Sequence, residues 1–342
     1  RFENLYLRDL AKGTTYAVSR NGVANSNDSQ ATMSSDGHIV IYVGFIYGPG
    51  SYANIYVWDA GTLTNLFQKS LGSIPVSQVE VAISAIGRQM AFSIPNALLA
   101  VNLESKKSLT VETNVYLSYA HLRLDAEGHW LSCSRVKNAT PRTSQVALYD
   151  WGDFSQKIVS HLPDSDNGGN GDSGYAVISE DGRFVAYESE ASDLVANDTN
   201  SLPDIFLYDQ HTGVNTLITA EQSGEFSSNN RSQNLVFSRN SRVLFFAGLS
   251  AGMALGDYNQ KQNLYAYKLL YGKIVTFGVP DRGVRLSWPS TIRRNYRVQY
   301  KDHVEEPDWH DLGGVITNSG NEAWIQDNAP SPNGRLYRIG TF

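Results

Sequence analysis

The stretch Ser179-Glu-Asp-Gly-Arg-Phe-Val-Ala-Tyr187 is the clearest copy of a unit that recurs along this sequence. In it, a serine and an Asp-Gly pair precede a run of alternating aromatic and aliphatic residues. Asp-Gly between two β-rich segments is a strong short signal for a β-hairpin, because both residues tolerate positive φ. The stretch therefore predicts two antiparallel strands joined by a tight turn at Gly182.

Four further copies of this turn occur, at intervals of 41 to 59 residues. They are centred on Gly37, Gly87, Gly128 and Ser241, the last of which has lost the glycine. Each copy is followed by a second apolar segment, an Asp or Asn and another turn, as in Asp204-Ile-Phe-Leu-Tyr-Asp209. Each unit thus predicts four short antiparallel strands, which is the make-up of a propeller blade.

The number of units predicts an all-β, six-bladed β-propeller over residues 1–277. Five units are complete, and the chain opens with a lone copy of the second hairpin, beginning Asn4-Leu-Tyr-Leu-Arg-Asp9. This opening half blade lacks its two inner strands. Because the sequence starts with Arg1 rather than Met, we expect a processed chain or part of a longer one.

Residues 278–342 follow a different pattern and predict a small β-sandwich module. Three of the six tryptophans fall here, within short segments of alternating polar and apolar residues: Trp288, Trp309 and Trp324. A second interpretation stays open at this point. Residues 284–288 and 296–300 could instead be the two missing inner strands, which would close the ring against residues 4–18.

Composition excludes several classes of protein. The net charge is −6 with no basic block, which argues against a nucleic-acid partner. No run approaches the roughly 20 apolar residues that a membrane span needs. Cys133 is the single cysteine, so neither an internal disulfide nor a thiolate metal cluster can form, and we expect it to be a buried core residue.

The repeat resembles the TolB-like, WD40-like (PD40-type) β-propeller repeats of secreted and periplasmic bacterial proteins. Residues 170–220 carry the resemblance best, and it extends over residues 1–277. The tail resembles the fibronectin-III-like modules at the C-terminus of large secreted bacterial proteins. These resemblances imply a secreted, periplasmic or cell-surface bacterial protein whose rigid ring presents loops to a protein or glycan partner.

A first candidate metal site lies before the third strand of the fourth complete unit. Asp198, Asn200 and Asp204 place oxygen-bearing side chains at alternate positions, closed by an acid four residues later. Ca²⁺ takes six to eight oxygen ligands, so this spacing is compatible with a calcium loop. The alternative is that these residues only cap turns.

A second candidate calcium loop precedes the same unit. Asp164, Asp166 and Asp172 have the spacing that opens an EF-type loop. However, Gly168 and Tyr175 stand where further oxygen ligands are needed. A structural linker between blades is the alternative interpretation.

The sequence predicts a chain that is not an enzyme by itself. It contains neither a Gly-x-Ser-x-Gly nucleophile motif nor the sialidase repeat Ser-x-Asp-x-Gly-x-x-Trp. The leading hypothesis is a non-catalytic protein-interaction or structural scaffold module. One alternative is a carbohydrate-binding or lyase- or hydrolase-associated propeller with a metal in its channel. Another is a subunit of an extracellular assembly, closed by strand exchange at the open first blade.

Overall fold

The computed structural model describes residues 4–19, 23–24, 31–46, 52–113, 116–137, 142–196, 198, 200, 202–219, 232–249, 261–269, 275–279, 283–289, 296–303, 305–318, 322–329 and 335–341. Apart from one short 3-10 helix, Val76–Gln78, the secondary structure described there is all β, which confirms the predicted class. Within these residues, no helix has the length and apolar character needed to cross a membrane.

The chain divides into two compact units. The first comprises Arg1–Gln210 and Val214–Lys268, and the second comprises His211–Gly213 and Leu269–Phe342. The boundary predicted after residue 277 falls within a strand, Val275–Val279, of the second unit. A boundary at 277/278 stays a prediction of the sequence.

The first unit contains successive antiparallel sheets in chain order. A two-stranded sheet, β1–β2, is followed by a sheet in which β3 and β4 both pair with β5, then by three four-stranded sheets and one three-stranded sheet. The strands are β1 Tyr6–Asp9, β2 Thr14–Ala17, β3 Val23–Ala24, β4 Ala31–Met33, β5 Ile39–Ile46, β6 Tyr52–Asp59, β7 Thr64–Ser70, β8 Glu80–Ile83, β9 Gln89–Ile94, β10 Ala97–Asn102, β11 Lys107–Thr113, β12 Tyr116–Leu124, β13 Trp130–Lys137, β14 Ser144–Asp150, β15 Gln156–Ile158, β16 Ser173–Ile178, β17 Phe184–Ser189, β18 Asp204–Asp209, β19 Val214–Leu217, β20 Ser232–Phe237, β21 Val243–Gly248 and β22 Asn263–Lys268.

The repeated turn forms at all five predicted positions. In the best copy, Ser179 Oγ donates to Asp181 Oδ1 at 2.7 Å and accepts the Phe184 N–H at 2.9 Å. Positive φ is found at the four turn glycines and also at Ser241, where the glycine is missing. In this copy the turn is therefore fixed locally, by the Ser179 hydroxyl and the Asp181 carboxylate.

Neighbouring sheets are joined at these turns and packed face to face. The Ser35 N–H donates to Ala85 O at 2.9 Å, and the Ala126 N–H donates to Glu180 O at 3.0 Å. One strand near the start of each consecutive sheet lies against its counterpart in the next sheet, and we call these five strands the inner strands: β4, β8, β12, β16 and β20. Apolar clusters fill the space between consecutive sheets, and Cys133 is buried in one of them, as predicted.

The fifth complete unit differs from its prediction. Its described strands are three, β20, β21 and β22, and residues 270–274 lie outside the described residues. The next described strand, β23, pairs with β24 instead of β22. The count of six blades stays a prediction.

The second unit contains two antiparallel sheets. One has the order β23-β24-β28-β27 and the other β26-β25-β29. The strands are β23 Val275–Val279, β24 Gly283–Pro289, β25 Tyr296–Lys301, β26 His310–Asp311, β27 Thr317–Asn318, β28 Glu322–Asp327 and β29 Leu336–Thr341. Residues of both sheets share one apolar core around Leu286, Trp288, Val298 and Ile325.

These pairings contradict the second interpretation of the tail. β24 pairs with β23 and β28, and β25 pairs with β26 and β29. Both edges of each strand are thus taken by strands of the second unit. Residues 284–288 and 296–300 therefore do not complete the opening half blade.

Candidate ligand site on the inner strands

Three consecutive inner strands carry a β-bulge at the same position. The register shifts between Ala120 and Arg123 in β12, between Gly174 and Val177 in β16, and between Gln233 and Val236 in β20. The residue that directly follows Ala120, Gly174 or Gln233 has positive φ in every case: His121 at 56°, Tyr175 at 52° and Asn234 at 63°. A β-bulge changes the direction in which side chains point. Residues other than glycine that adopt the left-handed backbone conformation are concentrated at functional sites.

Side chains of the preceding sheet accept the backbone N–H groups at these bulges. Glu80 Oε2 accepts the Leu122 N–H at 3.2 Å, and Glu188 Oε1 accepts the Asn234 N–H at 3.2 Å. Between them, His121 Nδ1 accepts the Tyr175 N–H at 3.4 Å. A bulge removes N–H groups from the strand ladder, so these acceptors satisfy donors that would otherwise be unpaired.

An open cavity of about 650 Å³ lies on the inner strands of the first three full sheets. Thr32 of β4, Glu80 of β8, and His121 and Arg123 of β12 supply its polar side chains. A second, smaller cavity of about 260 Å³ lies beside it and shares Glu80. The larger volume is in the range of sites that bind small molecules or short segments of polymers.

Two opposite charges line the cavity and are held by one buried residue. The Leu122 N–H donates to Glu80, and the Arg123 Nη1 donates to Leu122 O at 2.7 Å. Leu122 is fully buried, so its backbone is a fixed support for both side chains. In the part of the chain that the structure describes, no ion pair joins Glu80 and Arg123 to each other or to a third residue.

His121 lines the same cavity as these two charges, and its ring is neutral. Burial lowers the pKa of His121; the Glu80 carboxylate opposes this change, and the Arg123 guanidinium adds to it. The Tyr175 backbone can only donate, so Nδ1 is the acceptor and Nε2 carries the proton. The Tyr175 ring, which is half exposed, lies 4.1 Å from the imidazole centroid to centroid. His121 therefore contributes a hydrogen-bond donor without a charge.

The first predicted calcium loop is brought together by the structure, but as a hydrogen-bonded network. Asn200 Nδ2 donates to Asp204 Oδ2 at 3.1 Å, and the Thr219 hydroxyl donates to Asp204 Oδ1 at 2.5 Å. The Asn200 amide oxygen accepts the Leu202 N–H at 2.6 Å, and Asp198 accepts the Asn200 N–H at 3.3 Å. The amide oxygen expected to bind calcium thus already accepts one backbone hydrogen bond.

Burial gives Asp204 an unusual protonation equilibrium. Its side chain is fully buried, and this raises the pKa of Asp204 to about 7. The Thr219 hydroxyl opposes the increase, the nearby Asp198 carboxylate adds to it, and Asn200 opposes it. Among the described residues, no three His, Cys, Asp or Glu side chains form a group suited to a metal. Calcium binding at Asp198, Asn200 and Asp204 stays a prediction.

The second predicted loop is spread over separate contacts. Asp172 Oδ1 accepts the Ser144 N–H at 2.7 Å, whereas Asp164 and Asp166 lie exposed in the preceding turn. Asn170 instead links this loop to the next segment, where Asp193 Oδ1 accepts the Asn170 N–H at 3.0 Å. These contacts favour the linker interpretation, and a metal at Asp164, Asp166 and Asp172 stays a prediction.

The sequence did not predict the cavity or its residues. One signal was available in the sequence. Within one strand, the apolar residues move from an odd position, Tyr119, to even positions, Leu122 and Leu124. A strict period of two would have placed the buried residues at 119, 121 and 123. The slip indicates a bulge at 120–122, where His121 is displaced from the buried face.

No family model and no curated protein matches the sequence. Similar solved structures include TolB and other β-propeller proteins. TolB from Acinetobacter baumannii is 14% identical to this chain, with a TM-score of 0.45. The alignment covers 77% of this chain and 59% of TolB, so the chain spans less than two thirds of that protein. The β-propeller domain of the Trilobed protease from Pyrococcus furiosus is 11% identical with a TM-score of 0.45, covering 76% and 79%.

An oligogalacturonate lyase from Vibrio parahaemolyticus is also similar. It is 11% identical with a TM-score of 0.47, and the alignment covers 84% of this chain and 77% of the lyase. These three proteins differ in what their names describe, and every one of the TM-scores is below 0.5. The similarities therefore assign neither a family nor an activity to the chain.

Proposed function

We propose that this chain is a non-catalytic binding module whose ligand site is the cavity on the inner strands. The observation that carries the proposal is the coincidence of an open polar cavity with bulges that orient His121 and its neighbours. Glu80 and His121 accept backbone N–H groups of the following sheet, and Arg123 donates to the Leu122 carbonyl oxygen of its own strand. Such preorganisation lowers the entropic cost of binding.

The finer architecture is part of the same proposal. The first unit is a six-bladed TolB-like propeller, and the second, with two sheets on one core, is a fibronectin-III-like sandwich. The resemblance of the repeats also supports placing the protein in the periplasm, in the secreted fraction or on the cell surface of a bacterium. Its partner is then a protein or a glycan of that compartment.

Binding of the protein to glycan and peptide arrays, with and without a chelator, tests this function. We expect a ligand whose affinity falls at least about tenfold in Glu80→Gln or Arg123→Gln, since each variant removes a charged hydrogen bond. Arg88→Gln is the matched control, because Arg88 is exposed and pairs with Glu104 at the surface. Turnover of the ligand, or binding that only the chelator abolishes, would favour the enzyme-associated metal propeller instead.

A second candidate function is assembly through open sheet edges. Among the described strands, β1 pairs only with β2 and β22 pairs only with β21. Apolar side chains near these edges are exposed, with Leu264 at 76% and Tyr6 at 60%. A strand from another chain could pair there. Analytical ultracentrifugation would support this function if the mass exceeds the 37.7 kDa of one chain, and a monomer at high concentration would contradict it.

A further inference from the structure

We infer that the inner-strand cavity takes a small zwitterion, a molecule that carries an ammonium group and a carboxylate, of the class formed by amino acids and short peptides. This inference rests on the proposed function and adds the chemical class of the ligand. It starts from the two charges on the cavity wall, the Glu80 carboxylate and the Arg123 guanidinium.

Leu122 limits how far apart these charges can be. Its N–H reaches Glu80 Oε2 at 3.2 Å, and its carbonyl oxygen reaches Arg123 Nη1 at 2.7 Å. With standard backbone dimensions, the two side-chain atoms lie within roughly 9 Å of each other. A dipeptide or an amino acid can place its two charged ends within that span.

Desolvation selects against ligands that lack one of the charges. A ligand that fills the cavity removes water from both Glu80 and Arg123. An ionised group that loses water without gaining a partner is strongly disfavoured, whereas a charge-assisted hydrogen bond offsets this loss. A neutral sugar leaves both groups without a counter-charge, and an anion or a cation leaves one. A zwitterion pairs with both.

His121 supports the same selection. Its neutral imidazole adds no third charge, so the wall carries one negative and one positive group. The ring nitrogen Nδ1 is already occupied by the Tyr175 N–H, and Ser134 Oγ lies 3.2 Å from it. The remaining Nε2–H is a donor for a carbonyl or carboxylate oxygen, which a peptide supplies.

Titration calorimetry with four matched probes tests the inference. The probes are L-alanyl-L-alanine, its N-acetyl form, its C-terminal amide, and the doubly blocked form. We expect the free dipeptide to bind most tightly and each block to weaken binding by about tenfold or more. The doubly blocked form should bind most weakly.

Variants then assign each end of the ligand. In Glu80→Gln, acetylation of the amine should no longer weaken binding, and in Arg123→Gln amidation of the carboxylate should no longer weaken it. Arg88→Gln should behave as the wild type. Circular dichroism melting curves check that each variant is folded.

The outcomes separate this inference from the proposed function. Three results would overturn the inference that the ligand is a zwitterion. The four probes could bind with equal affinity, or none of them could bind. Alternatively, acetylation could still weaken binding to Glu80→Gln, or amidation could still weaken binding to Arg123→Gln. The proposed function would still stand if an array ligand of another class loses affinity in Glu80→Gln or Arg123→Gln. It fails if those variants leave every array ligand unaffected.

Discussion

The indole of Trp130 lies against the turn glycine of the next sheet, so that a Cβ built on Gly182 would come within 2.7 Å of Trp130 Cδ1. The same relationship recurs one sheet earlier, where a Cβ on Gly128 would lie 2.6 Å from Gln89 Oε1. These glycines therefore serve two needs at once. They permit positive φ within the turn, and they leave room for a side chain of the neighbouring sheet.

We expect Gly182→Ala to lower the free energy of unfolding by about 2 to 4 kcal/mol. About 1 kcal/mol comes from the positive φ, and the rest comes from overlap with Trp130. Gly72→Ala is the matched control, because Gly72 has a similar φ of 71° and nothing within 4 Å of its added Cβ. Urea denaturation followed by circular dichroism measures both. Equal losses for the two variants would contradict close packing at the sheet junction.

The stability of the protein should depend on pH through Asp204. Its pKa is raised from 3.8 to about 7, so the folded state keeps a proton that the unfolded chain releases. Stability from this group is full below about pH 4 and is lost as the pH rises to about 7. The slope approaches about 1.4 kcal/mol per pH unit.

Asp204→Asn should remove this slope, because an amide cannot ionise. Urea denaturation between pH 4 and pH 8, in EDTA, measures the effect. Asp164→Asn is the control, since it makes the same chemical change at an exposed position. Identical pH profiles for wild type and Asp204→Asn would show that Asp204 titrates as it does in the unfolded chain.

Added calcium should leave the melting temperature of the protein unchanged at pH 7. Both carboxylate oxygens of Asp204 already accept hydrogen bonds, from Thr219 and from Asn200. Calcium would have to compete with these donors for the Asp204 oxygens. Differential scanning calorimetry with millimolar Ca²⁺ or EDTA decides the matter. A rise in melting temperature that Asp204→Asn abolishes would show that the predicted calcium site forms.

In the second unit, we expect Arg335→Met to lower the free energy of unfolding by about 3 to 5 kcal/mol, because it leaves a buried carboxylate without its cation. Asp327 is 3% exposed and accepts hydrogen bonds from Arg335 at 2.9 Å and from the Tyr337 hydroxyl at 2.7 Å. Burial opposes ionisation, but these donors and the Ala329 N–H hold the pKa of Asp327 below its usual value.

Arg297→Met is the matched control for that variant. Arg297 forms a two-pronged pair with Asp311, yet both side chains are more than half exposed. Water screens such an exposed pair, so its loss should lower the free energy of unfolding far less than the loss of Arg335. Hydrogen exchange of β25 and β28 amides follows both variants. The pairing account of Asp327 would be wrong if the two substitutions increased exchange equally.

How much the sequence predicts depends on how local each interaction is. The turn at Gly182 is specified by Ser179 and Asp181, whose side chains bond to the turn itself. The network of Asp198, Asn200 and Asp204 is likewise local, so the sequence could predict that these side chains meet. The sequence could not predict that Thr219, just after the next strand, supplies a donor.

The cavity was beyond prediction for the same physical reason. Its two charges are oriented by Leu122, but Glu80 stands 42 residues earlier in the chain. Only the packing of one inner strand against the next brings them together. The pairing of β24 with β28 in the second unit is also non-local, because β25, β26 and β27 lie between these two strands in the chain.

The most direct test of the inner-strand site is a long-range ¹H–¹⁵N spectrum of the His121 imidazole at pH 7, assigned with His121→Gln. It should be recorded with and without the ligand that the arrays identify. We expect a neutral ring protonated on Nε2, whose signals move when the ligand saturates the protein. A ring protonated on Nδ1, or signals that stay in place at saturation, would contradict a ligand site on the inner strands.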